Sequence, residues 1–200
     1  MVTINMIGKP CPIPVVEAKK ALSQPGTQGV VVLVDNIIAV QNLEKMAAGS
    51  GYGFSSERKS ETEYAARIFV KDPNGKALDV SRPEQAVSSG RVTFLITGDQ
   101  IGISEGEPGR KLMKSFLYSL AQLPAAPETV LLVNAGVKLA ADGSEALEDL
   151  KTLAALGANI LACGQCLGYY GLTDKLAVGK VTTMLEIVEI LSSALRTVTL

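Results

Sequence analysis

Val2-Thr3-Ile4-Asn5-Met6-Ile7-Gly8-Lys9-Pro10-Cys11-Pro12-Ile13-Pro14 leads without a break into Val15-Val16-Glu17-Ala18-Lys19-Lys20-Ala21-Leu22. Residues 2–6 read as a strand and the residues after Cys11 as an amphipathic helix, so a thiol flanked by prolines stands where strand turns into helix. A proline at the first helical position loses nothing, because its missing N–H would have been unpaired there, and it disfavours helical backbone in the residue before it. With Pro12 in that position, Cys11 is the expected N-cap. Ile13 then falls at the second helical position and Pro14 at the third, which removes one of the two donors a cap normally uses and leaves the Ile13 N–H to face the sulfur. The helix field favours an anion there by roughly 0.3–1 kcal/mol, and Lys9 stands near it in sequence. The alternative is a proline-stiffened turn whose cysteine is only a small apolar cap.

Outward from this segment, Pro25-Gly26 stops the first helix near Gln24, and residues 29–35 form a continuous apolar run suited to a buried central strand. Asp35-Asn36 marks the turn into a second helix with Val40, Leu43, Met46 and Ala47 on one face, ended by Gly49, Gly51 and Gly53. Residues 54–59 and 64–70 read as a hairpin. The order β-α-β-α-β-β predicts a small two-layer α/β domain over residues 1–70. Residues 71–90, with Pro73, Asn74-Gly75 and Pro83, read as a linker.

From residue 91 strands and helices alternate: strands at 91–97, 129–134, 158–163 and 197–200, helices at 109–123, 144–156 and from the Thr183/Glu186 capping box to about 195. Such alternation predicts a three-layer α/β/α domain with a mainly parallel sheet over residues 91–200.

Composition narrows the chemistry. A chain of 200 residues, 47% hydrophobic and 20% charged, buries enough surface to fold without a disulfide or metal. Its net charge of −1, with acidic and basic residues intermixed, offers no basic stripe for nucleic acid. No charged leader precedes an apolar stretch and no apolar run approaches the ~20 residues that span a bilayer, so neither a membrane nor export is expected and the protein is read as cytoplasmic. Three cysteines, Cys11, Cys163 and Cys166, suit a reducing compartment. The chain has no histidine. That excludes Ser-His-Asp and Cys-His catalysis and the usual His-containing zinc sites, leaving Cys, Lys, Tyr or carboxylates for any chemistry; no metal or other cofactor is expected.

Cys163 closes a predicted strand and is followed by Gly164-Gln165-Cys166-Leu167-Gly168-Tyr169-Tyr170-Gly171. In open parallel sheets ligands gather beyond the carboxyl ends of strands. If Gln165 begins a helical turn, Cys163 and Cys166 are three apart on one face, close enough to meet, and the helix start favours thiolate. The spacing alone fits a redox pair, half of a zinc site, or two packed small residues. The loop at 98–109 is glycine-rich, yet it lacks the Gly-Lys-Ser/Thr ending of a P-loop, and Asp99, Glu105 and Glu107 oppose phosphate. It reads as a lid or interface loop over the Cys163 region. Cys11, Cys163 and Cys166 are the expected reactive residues; Lys9, Pro12, Ile13 and Pro14 around the first, and Gly164 and Tyr169 around the pair, are the expected binding residues.

Two family resemblances join these readings. Gly8-x-x-Cys11-Pro12-x-Pro14 with Asp35-Asn36-x-x-Ala39-Val40 resembles the TusA/SirA sulfur carriers, and Leu161-Ala162-Cys163-Gly164-Gln165-Cys166-Leu167-x-Tyr169-Tyr170-Gly171-Leu172 resembles the DsrE/DsrF-like family. The fusion of both is similar to the YedF-type proteins associated with selenium metabolism. The carrier family often shows Asp-x-Arg-Gly before its motif, where this chain has Asn5-Met6-Ile7-Gly8. The resemblance implies a persulfide on Cys11, a receiving or resolving thiol at Cys163 or Cys166, sulfur- or selenium-donating and accepting proteins as partners, and homo-oligomerisation through the second domain. A carrier of sulfur or selenium is therefore expected, with a Cys163/Cys166 dithiol oxidoreductase, or an assembly or regulatory protein whose cysteines only pack, as alternatives.

Overall fold

A computed structural model describes residues 1–70, 92–103 and 107–200. They form two compact α/β units, one on each side of residues 71–91. The expected linker at 71–90 lies outside the described residues, as do residues 104–106 of the glycine-rich loop.

In the first unit β1 (Val2–Asn5), α1 (Ile13–Leu22), β2 (Gly29–Val34), α2 (Ile37–Gly49), β3 (Gly53–Arg58) and β4 (Tyr64–Phe69) follow the expected order. The sheet runs β1-β2-β4-β3, with β1 parallel to β2 and the other pairs antiparallel. The apolar run of β2 puts it in the interior of the sheet, where Val30, Val32 and Val34 are buried. Ala18 and Leu22 of α1, Val40, Leu43 and Ala47 of α2, and Ile68 of β4 complete that core. Each large side chain so buried contributes about 1.5–3 kcal/mol. Asn36 caps α2, its side-chain oxygen accepting the Ala39 N–H at 2.8 Å.

The second unit contains β5 (Val92–Ile96), α3 (Glu107–Ala121), β6 (Thr129–Leu132), a 3-10 helix (Asn134–Ala140), α4 (Leu147–Ala155), β7 (Asn159–Cys163), α5 (Gly164–Tyr169), β8 (Lys180–Thr182), α6 (Met184–Ser193) and β9 (Arg196–Thr199). All five strands are parallel, in the order β8-β7-β6-β5-β9. The chain steps from β5 through β6 and β7 to β8 in one direction, then returns across the sheet to β9. Right-handed crossovers therefore place α6 on the opposite face from α3 and α4, which makes three layers. The core holds Ile96, Met113, Leu117, Leu131, Leu150, Leu153, Leu167 and Ile187.

Three elements lie where the sequence showed none: β8, too short to carry a period, a single 3-10 turn at Thr173–Lys175, and the 3-10 helix after β6. Gly136 explains the position of the last, since a Cβ there would sit 2.4 Å from the Ile96 carbonyl oxygen. That close approach seats the helix on the carboxyl end of β5. Among the described residues no helix is long and apolar enough to cross a membrane.

Candidate functional sites

The turn that presents Cys11 is tied to the end of β2. Gly8 takes a left-handed conformation (φ 73°), and its N–H donates to Asp35 Oδ2 at 2.7 Å. The Asn36 side-chain amide donates to Asp35 Oδ1 at 2.8 Å. The Gly8 N–H, and after it the Asn36 amide, hold the Asp35 carboxyl below the usual carboxylate range.

The cap is shifted by one residue from expectation. The Pro12 carbonyl accepts from Val15 and Val16 at 3.0 and 3.1 Å, which makes Pro12 the N-cap, and α1 begins at Ile13. The Ile13 N–H does not face the sulfur; it donates to the Pro10 carbonyl at 3.0 Å. Cys11 thus lies one residue outside the helix, exposed, behind a cis Cys11–Pro12 bond. The donor on its sulfur comes from α2: Asn42 Nδ2 stands 3.5 Å from Sγ.

Of the expected binding residues, Lys9 and Pro14 line a small cleft of about 40 Å³ with Cys11, Asn36, Ile38 and Asn42. Pro12 and Ile13 serve as cap and first residue of the helix. Ile7, Ile37 and Ile38 lie exposed in the flanking segments, Ile38 at 63%. A lone exposed thiol with a single amide donor is accessible to a macromolecular donor or acceptor.

In the second unit Cys163 ends β7 at 1% exposure, while Cys166, in α5, is half-buried. Cys163 is the residue before α5 and Cys166 the third residue within it, so the two thiols are neighbours, close enough for Cys163 to disfavour ionisation of Cys166. The expected ease of ionisation is absent. Burial first, then neighbouring Cys163, push the Cys166 thiol up, against the lowering effect of the Asn134 N–H. The helix of six residues provides too little field to reverse this.

Asn134 has φ 48° and donates its backbone N–H to Cys166 Sγ at 3.1 Å. Its side-chain oxygen accepts the Tyr170 hydroxyl at 3.0 Å, and Lys138 Nζ lies 4.6 Å over the Tyr170 ring. Gly164 is needed for space, because a Cβ there would meet Val181 at 2.8 Å. Tyr169 is 84% exposed and its ring meets Tyr170 edge-on.

Sequence reasoning missed Asn42, Asp35 as a tether, and Asn134 with Lys138. Asn134 had one available signal, as the first polar residue after a buried parallel strand. From the glycine-rich loop, Asp99 reaches Lys138 at 3.8 Å.

A larger crevice of about 520 Å³ is lined by Asp99, Arg110, Lys111, Lys114 and Lys138 and contains no thiol. Lys111 pairs with Glu107, Lys138 with Asp99 and Lys114 with Asp149, so most of its charge is matched internally.

Residues 2–71 match the family model described as sulfurtransferase TusA. Among solved structures the chain is similar to a SirA-like protein from Desulfitobacterium hafniense at 48% identity, covering 34% of this chain and 96% of that one, with a TM-score of 0.33. It is also similar to the ychN protein from E. coli at 14% identity, covering 56% of this chain and 100% of that one, with a TM-score of 0.45. No curated protein matches the chain.

Proposed function

The N-terminal domain of this chain belongs to the sulfurtransferase TusA family, and we propose that the chain carries sulfur, or selenium, as a persulfide-type group on Cys11. In this reading the Cys11 thiolate attacks the terminal sulfur of a donor persulfide; the new bond forms on Cys11 and the donor leaves as its thiolate. The group then passes to Cys166 of the second domain, read as DsrE/DsrF-like in a YedF-type fusion, or to an outside acceptor. The observation that carries the reading is the contrast among thiols: Cys11 is exposed with one amide on its sulfur, whereas Cys163 is buried and Cys166 half-buried. Lys9 beside it, and the exposed Ile7, Ile37 and Ile38, supply a mixed apolar and cationic surface for a protein partner. Incubation with a cysteine desulfurase and cysteine, followed by intact-mass measurement of wild type and Cys11→Ser, tests it.

The proximity of the Cys163 and Cys166 thiols at the start of α5 favours a second reading, a dithiol/disulfide oxidoreductase in which the first domain only docks partners. A redox titration with no transition at this pair rules that out. Self-association through the second domain is supported by α6, where Met184, Leu185 and Val188 are exposed, Leu185 at 70%.

A further inference from the structure

Cys163, just before α5, and Cys166, three residues on within it, are neighbours yet stand in unlike surroundings. An outside donor has access to half-buried Cys166 but not to Cys163, which is 1% exposed at the end of β7 within the core of its unit. The Asn134 N–H, at 3.1 Å, fixes the Cys166 sulfur beside its neighbour, and the Tyr170 hydroxyl holds Asn134 in turn. A relay that hands its sulfur on intact has no use for a second thiol beside the loaded one. A buried thiol neighbouring the accessible one is what internal disulfide closure requires.

We propose that the Cys163/Cys166 pair is a reductive release site, which accepts a sulfane sulfur on Cys166 and expels it as hydrosulfide. It rests on the reading that the second domain receives sulfur. The first step moves the terminal sulfur of a donor persulfide onto Cys166, and the donor leaves as a thiol. In the second, the Cys163 sulfur attacks Cys166 Sγ. The Cys163–Cys166 bond forms, the bond between Sγ and the terminal sulfur breaks with its electron pair on the departing atom, and the Cys163 proton leaves with it as HS⁻. The two electrons gained by the expelled sulfur come from the dithiol, so release needs no other reductant. A dithiol reductant returns the disulfide to the starting state.

Reduced full-length protein, freed of reductant and mixed anaerobically with glutathione persulfide, tests this directly. Sulfide is trapped and quantified, and the tryptic peptide 152–175, which contains both cysteines, is weighed. Wild type is expected to release sulfide while that peptide loses two hydrogens. Cys163→Ser, with Cys163→Ala as a second variant should a buried hydroxyl disturb the fold, is expected to release none above the donor blank and to keep one added sulfur on Cys166. Because glutathione persulfide is small enough to reach Cys166 without a carrier, and the readout is confined to the 152–175 peptide and the sulfide released, failure of the carrier reading leaves these outcomes unchanged. Release undiminished in both Cys163 variants, or a wild-type peptide that keeps its added sulfur and forms no disulfide, overturns the proposal, and the wild-type peptide decides it even if both variants unfold.

Discussion

Each accessible sulfur receives one N–H from a distant part of its own unit: the Asn42 side-chain amide on Cys11 at 3.5 Å, and the Asn134 backbone amide on Cys166 at 3.1 Å. Exposure then ranks the thiols. Timed alkylation with peptide mapping is expected to label Cys11 first, Cys166 next and Cys163 last; labelling of Cys163 ahead of Cys11 would overturn the assignment of the carrier. Burial favours the protonated form of Cys166, so its labelling is expected to rise only at a pH above that of an ordinary thiol, here 9.0. Asn134 holds a left-handed backbone that glycine tolerates and alanine does not. Asn134→Ala is expected to cost about 1–2 kcal/mol in urea unfolding, and Asn134→Gly less, because the second keeps both conformation and N–H.

Helices and strands were mostly legible because each carried its own punctuation: Pro25-Gly26 after α1, Asp35-Asn36 before α2, the Thr183 cap of α6. The misplaced cap of α1 has a local cause. Counting from Pro12 as the first helical residue overlooks that its carbonyl already accepts the first two helical bonds, which moves Cys11 outside the helix. The contacts that complete the sites were illegible for a different reason: Asn42 meets Cys11 from 31 positions away and Asn134 meets Cys166 from 32, so no local pattern announces either. Asp35 belongs to the same class, tying the end of β2 to Gly8. Its folded-state ionisation is depressed, so the stability it adds is present above the ordinary carboxylate value of 3.8 and is lost as pH falls through the lower folded value. Asp35→Asn is expected to remove that acid-side loss, read from urea midpoints measured down the pH scale, and to slow sulfur loading of Cys11. Unchanged midpoints and loading would show that the tether does nothing.

Taken together, the chain joins a TusA-like domain to a parallel α/β domain with two neighbouring thiols, and the cysteines and the Asn134 amide lie where the chain leaving β1, β6 and β7 turns into helical segments. The exposed apolar side chains of α6 predict association between copies: Leu185→Glu with Val188→Glu is expected to lower the mass measured by sedimentation, and an unaltered mass places the interface elsewhere. Sulfur supplied by a desulfurase, unlike glutathione persulfide, is expected to reach the 152–175 peptide only when Cys11 is present. The most direct measurement is the intact mass of wild type and Cys11→Ser after incubation with a cysteine desulfurase and cysteine. The account predicts one added sulfur on wild type, removable by a thiol reductant, and none on Cys11→Ser; equal gain by both, or no gain by wild type, would contradict it.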